Sequence, residues 1–143
     1  ARKSKEESKR IRTGLFNTEL DIKHEENRAV ASISFYNISQ EDLKLNFDVG
    51  CEFDFIVTDS EDDEVYSRFH DDKIGLPAIS NHKLKKGEKL SFSYTWDYND
   101  NNGNKVAPGK YSLTVKMLPM INYKRNFCPD ELTAVKDIDV NYN

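Results

Sequence analysis

The chain has 143 residues, a net charge of −4, 37% hydrophobic residues and 32% charged ones. That length suits one domain with a real core, and no apolar run approaches the ~18 residues a helical membrane span needs. Residues 1–12 carry +4 (Arg2, Lys3, Lys5, Lys9, Arg10 and Arg12 against Glu6 and Glu7), which leaves −8 on the other 131; so acidic a body is a poor match for nucleic acid, whose binding rests on neutralised phosphates.

Residues 1–13 have little to bury and are expected to form a flexible basic arm, with residues 14–143 as a single domain. Beyond the arm the chain alternates with period two, the signature of half-buried strands. Phe16, Thr18, Leu20 and Ile22 share one face, and Glu25-Glu26-Asn27 turns the chain. Ala29, Ala31, Ile33 and Phe35 follow, then Leu43, Leu45, Phe47 and Val49. Gly50 interrupts as a bulge or bend would, and Phe53, Phe55 and Val57 resume. Five acids in the six residues Asp59–Glu64 cannot be buried and predict a hairpin tip. Val65, Tyr66 and Phe69 give a short strand, and residues 70–82 read as irregular. Lys86-Gly87-Glu88 makes a tight turn with Gly87 free to take positive φ. Leu90, Phe92, Tyr94 and Trp96 alternate; Asp97–Gly109 is a long polar loop. Pro108-Gly109 fits a type II turn into the strand Tyr111, Leu113, Val115, Met117. Residues 118–131 read as irregular, and Val135, Ile138 and Val140 as a last strand. The expectation is all-β: an immunoglobulin-like antiparallel β-sandwich of seven to eight strands.

The acidic tip carries oxygen ligands, but solvated turns produce such runs. Counted from Asp97, the loop Asp97–Pro108 has glycine at the seventh position rather than the sixth and Pro108 where a calcium loop needs its bidentate Glu, so it reads as a turn needing left-handed residues. His24, His70 and His82 show no metalloprotease spacing, and no nucleophile elbow or phosphate loop is present. His70 beside Asp71 and Asp72 is the one acid–base neighbourhood. Cys51 and Cys128 stand apart with no CxxC motif; two free structural thiols is the favoured reading, one disulfide the alternative. Asn37-Ile38-Ser39 is a glycosylation sequon. Trp96 reads as a plug for one end of the core, with Tyr111 near it. No catalytic residue, metal ligand or cofactor site is expected.

The order of punctuation from Leu45 to Met117 carries a resemblance. Its pieces are Leu45–Gly50, Phe53–Ser60, Val65-Tyr66-Ser67, Leu84–Glu88, Phe92, Trp96-Asp97 and Pro108-Gly109-Lys110-Tyr111. In these the chain resembles the bacterial intracellular proteinase inhibitor (BsuPI) family, with Gly50, Gly87, Trp96, Asp97, Pro108, Gly109 and Tyr111 as structural motif residues. The basic segment 1–12 and the stretch Leu118–Glu131, with Cys128, look like additions, expected to serve a partner or an envelope location.

The resemblance implies a protein partner, a subtilisin-like serine protease, inhibited through an exposed loop. The loop candidate is Ile74, Gly75, Leu76, Pro77, Ala78, Ile79 and Ser80, an apolar stretch between polar segments that Pro77 stiffens. The alternative is a non-inhibitory immunoglobulin-like interaction domain of a bacterial cell-envelope or surface protein. Localisation divides with them: cytoplasmic for the inhibitor, envelope or secreted if a leader precedes Ala1. Oligomeric state is left open.

Overall fold

The computed structural model describes residues 13–47, 53–71, 80–117, 119–121 and 128–142. Ten strands lie within them: β1 (Phe16–Glu25), β2 (Arg28–Asn37), β3 (Leu43–Phe47), β4 (Asp54–Thr58), β5 (Glu64–Ser67), β6 (Ser80–Leu84), β7 (Lys89–Trp96), β8 (Gly109–Lys116), β9 (Met120–Ile121) and β10 (Thr133–Val140). Short 3₁₀ turns occupy Arg68–His70 and Pro129–Leu132. Every strand pairing is antiparallel. The two strands beyond the expected seven to eight are β6 and β9. Both fall in stretches that read as irregular, because polar Ser80-Asn81-His82-Lys83 shows no alternation and β9 is two residues long. Among the described residues no helix is long and apolar enough to cross a membrane.

One layer has the order β1-β2-β7 and the other β10-β8-β4-β5; a third group, β6-β3-β9, involves the same chain runs as the second. β3 precedes β4 and β9 follows β8, and both pairs β3–β9 and β4–β8 are antiparallel. The layers meet through alternating side chains. In β2, small Ala29 and Ala31 lie opposite Trp96 and Tyr94 of β7, and Ile33 lies opposite Phe92. The two alanines leave the space that the large rings fill, as close packing requires. Those rings reach the other layer: Phe92 stacks on Phe53 with centroids 4.8 Å apart, and Tyr94 on Phe55 at 4.9 Å. Burying such rings is the main favourable term for a chain this polar.

The turns use the residues their geometry demands. Asn27 at φ 59° closes the β1–β2 hairpin, a conformation Asn tolerates better than other side chains. Gly87 takes φ 82°, and the Glu88 N–H reaches the Lys85 carbonyl at 2.9 Å. Gly109 departs from expectation. It sits at φ 148°, not the value near +80° of a type II turn, and is the first residue of β8, opposite Val140. The sequon is a staple: Asn37, 1% exposed, donates Nδ2 to the carbonyls of Glu41 (2.8 Å) and Leu84 (2.9 Å) and accepts from the Ser39 N–H and hydroxyl.

Part of the stretch that looked like an addition closes the sandwich. The Glu131 carboxylate accepts from the backbone N–H groups of Gly14 (2.7 Å), Leu15 (2.8 Å) and Phe16 (3.1 Å), while its carbonyl accepts from Thr18 Oγ1 at 2.6 Å. Leu132 is wholly buried, and its carbonyl receives the Met117 N–H. These residues are therefore part of the folded body rather than a pendant for a partner. Cys128 carries a free, half-buried thiol; Cys51, Gly50 and the basic segment 1–12 lie outside the described residues.

Candidate functional site

The exit from β5 is fixed by several side-chain hydrogen bonds. It begins with the β4–β5 hairpin, where the Asp59 carboxylate accepts from the N–H groups of Glu61 (2.9 Å) and Asp63 (3.0 Å) and Asp62 takes φ 64°. The acidic tip is thus a self-bonded Asx turn. β5 then ends at Ser67, which is clamped from two sides. The Asn101 amide accepts from the Ser67 N–H at 2.9 Å and donates to its carbonyl at 3.0 Å, as a paired strand would. On the other side, buried Asp54 accepts from the Ser67 hydroxyl at 3.2 Å and from the Phe69 N–H at 3.1 Å.

Arg68 and Asp71 complete the exit. Arg68 donates to the Phe53 carbonyl at 2.7 Å and lays its guanidinium over the Phe53 ring, 4.4 Å from the centroid, a cation–π contact strengthened by partial burial. Asp71 accepts the Tyr66 hydroxyl at 2.6 Å, and Tyr66 in turn bonds the Tyr94 hydroxyl. Burial pushes the Tyr66 phenol far up, with its hydrogen bond to Asp71 adding to the shift. Burial likewise raises Tyr94. Both phenols therefore hold their protons across the ordinary pH range. His70 turns instead to Glu64, with Nδ1 3.3 Å from the carboxylate and both side chains exposed. The neighbours His70 and Asp71 thus face different partners.

Downstream, the next described element is β6. Ser80 lies opposite Phe47, Asn46 Nδ2 donates to Asn81 Oδ1 at 2.8 Å, and His82 meets the Phe47 ring edge-on at 5.9 Å. Of the loop candidate, Ile74, Gly75, Leu76, Pro77, Ala78 and Ile79 lie outside the described residues, and Ser80 is the first residue of a strand. The flanks of that segment were not legible in sequence: Asp54, Asn101 and Tyr94 lie 13 to 34 residues from the groups of β5 they bond.

Among the motif residues, Trp96, Asp97 and Tyr111 are tied to the Trp96 end of the core. Trp96, 1% exposed, packs against Tyr98 (5.2 Å), Tyr66 and Tyr111 (both 6.3 Å) and donates Nε1 to the Asn99 carbonyl at 2.9 Å. Asp97 accepts the Asn99 N–H at 3.1 Å, and Tyr98 and Gly103 are left-handed at φ 66° and 84°, as the polar loop was expected to require. The hydroxyls of Tyr98, Tyr111 and Tyr142 end on the carbonyls of Arg28, Ala107 and Val106.

A family model described as "Intracellular proteinase inhibitor" matches residues 16–120, and with 105 of 143 residues matched the chain belongs to that family, BsuPI. No curated protein matches the chain. Among solved structures, it is similar to a β-glucosidase from Erythrobacter marinus (13% identity, TM-score 0.48, 87% of this chain and 15% of that one). It is also similar to a β-glucosidase from Listeria innocua (17%, TM-score 0.44, 89% and 16%). The CARDB domain of the PF1109 protein from Pyrococcus furiosus is a third (12%, TM-score 0.43, 89% and 90%). The chain spans about a sixth of the glucosidases, and likenesses with TM-scores this low bear on neither activity nor ligand.

Proposed function

We propose that this protein binds and inhibits a subtilisin-like serine protease, with Ile74–Ser80 as the contact segment and residues 14–143 as one binding domain. Family membership over residues 16–120 is the observation that carries the reading. The anchoring of the flanks supports the choice of segment. Asp71 on one side is bonded to Tyr66, and Ser80 on the other is paired with Phe47. A contact segment that is ordered before docking loses less conformational freedom, which leaves more of the contact energy as affinity. The apolar side chains of Ile74, Leu76 and Ile79 suit the hydrophobic centre of such a contact.

Titrating a subtilisin-like protease with the intact chain should suppress cleavage of a peptide substrate at near-equimolar ratio. Full protease activity at micromolar protein would sink the reading. Leu76→Glu is expected to weaken inhibition about tenfold or more, ~1.4 kcal/mol.

A further inference from the structure

Among the described residues, every sheet edge but one is guarded against pairing with another chain. Unpaired edge groups are a template for a further strand, and proteins blunt them with charge, brevity or a cap. On β1 the exposed residues Glu19, Asp21 and Lys23 are charged, on β10 Lys136, Asp137 and Asp139 are, and Lys136 comes within 3.9 Å of Asp21. β5 has four residues, and the Asn101 amide occupies both the N–H and the carbonyl of Ser67. β6 carries His82 and Lys83, and β9 is two residues long. β7 is different. From Leu90 to Trp96 no residue is charged and none is Gly or Pro. Its described partner is β2, and no other described strand pairs along its far side.

Both faces of β7 are incomplete at that edge. Leu90, Phe92 and Tyr94 pack on the core yet stay half-buried, while Phe35, Ile33 and Ala31 opposite them on β2 are fully buried. On the solvent face Ser91, Ser93 and Thr95 are short and exposed, and Ser91 already meets Ser34 of β2 hydroxyl to hydroxyl at 3.0 Å. We propose that the far edge of β7 pairs antiparallel with β7 of a second copy of this chain, giving a twofold dimer with one continuous six-stranded sheet. Residues opposite one another in such a pair share a face, and charge selects the register. With the twofold axis at Ser93, exposed Lys89 lies opposite exposed Asp97 of the second copy at each end of the pair. Ser91 then faces Thr95, and Ser93 faces its own copy. On the core side Phe92 meets Tyr94 and Leu90 meets Trp96, so each apolar side chain at the edge gains a cross-strand neighbour. Moving the axis by one residue sets Lys89 against Thr95 or Asn99 instead. With one unguarded edge per chain, the pairing closes at two copies. Self-pairing does not depend on the inhibitor reading.

Sedimentation velocity of the intact chain from ~5 to ~200 μM tests this, a range suited to the weak association that a small edge interface gives. The wild type should pass from one chain mass to two as concentration rises. Ser93→Lys sets like charges against each other on the axis and should weaken the dimer about tenfold or more. Its melting temperature at the lowest concentration should match the wild type, because Ser93 is exposed. Lys89→Asp sets acid against acid at both ends and should weaken the dimer about threefold. Ser93→Cys, oxidised as the dimer and mapped by mass spectrometry, should give a bridge from position 93 to position 93 of the second copy. That bridge reads the register even if Ser93→Lys does not fold. A wild type that stays at one chain mass throughout would overturn the proposal and leave the edge to a foreign strand. So would a dimer that Ser93→Lys leaves within twofold of wild type, a dimer whose Ser93→Cys form shows no such bridge, or species that keep growing past two copies.

Discussion

The sandwich is closed at its two ends by different chemistry. At the Trp96 end, rings do the work: Trp96, Tyr98, Tyr111 and Tyr142 interlock, and three phenol hydroxyls each find a backbone carbonyl. At the Gly14 end, one carboxylate gathers the first three N–H groups of the β1 entry. The aromatic closure spreads its energy over area, so it tolerates the loss of any one polar contact. The carboxylate closure concentrates its energy in one group, so it depends on that group's charge and reach. An apolar plug is robust by redundancy, whereas a polar clasp is specific and single-point.

That contrast can be broken most severely at Trp96. Trp96→Ala should cost about 3–5 kcal/mol, seen as a fall in urea midpoint, because the cavity would sit between two layers. Glu131→Ala should cost about 2–3 kcal/mol, as it leaves several backbone donors without their charged acceptor; Glu131→Gln should recover part of this, since an amide oxygen still accepts. The ends also part company in alkali. Burial raises the phenols of Tyr98, Tyr111 and Tyr142 above the ordinary value of 10.0. Their contribution is full below the unfolded value and is lost as pH climbs through the folded ones, because the unfolded chain then releases protons that the native state retains. Thermal melts should therefore hold to about pH 10 and fall beyond it, with phenolate absorbance rising as the structure is lost. Tyr142→Phe is the mildest break, about 1 kcal/mol from one hydroxyl that reaches Val106.

The aromatic end was legible in the sequence and the carboxylate end was not, for a physical reason. Leu90, Phe92, Tyr94 and Trp96 alternate over a run long enough for period two to stand out, and all four pack inward. Glu131 carries no such mark. Its partners are backbone N–H groups more than a hundred residues away, and a lone acid in a polar stretch is indistinguishable from a solvated one. The last strand was recognised, yet Val135, counted with Ile138 and Val140, has the opposite parity and is 60% exposed. The same limit applies to the exit from β5. Tyr66 was legible as a strand residue, but the link to Tyr94 joins two layers and leaves no local pattern. The turn chemistry of Asn27, Gly87 and the Asp97 loop was readable because left-handed backbone has few takers. Gly109 was half-readable: a glycine was needed there, though for a strand entry rather than a type II turn.

One staple sets a condition on how the protein can be produced. Asn37 stands in a sequon, yet both protons of its amide are committed to Glu41 and Leu84 in a site 1% exposed. A sugar on that nitrogen would replace one of those protons and hold the side chain outside the body. In a secretory host that modifies chains before they fold, the glycan would arrive first and the β2–β3 corner could not then close. The same asparagine that fastens this corner makes a glycosylating secretory route incompatible with the native fold.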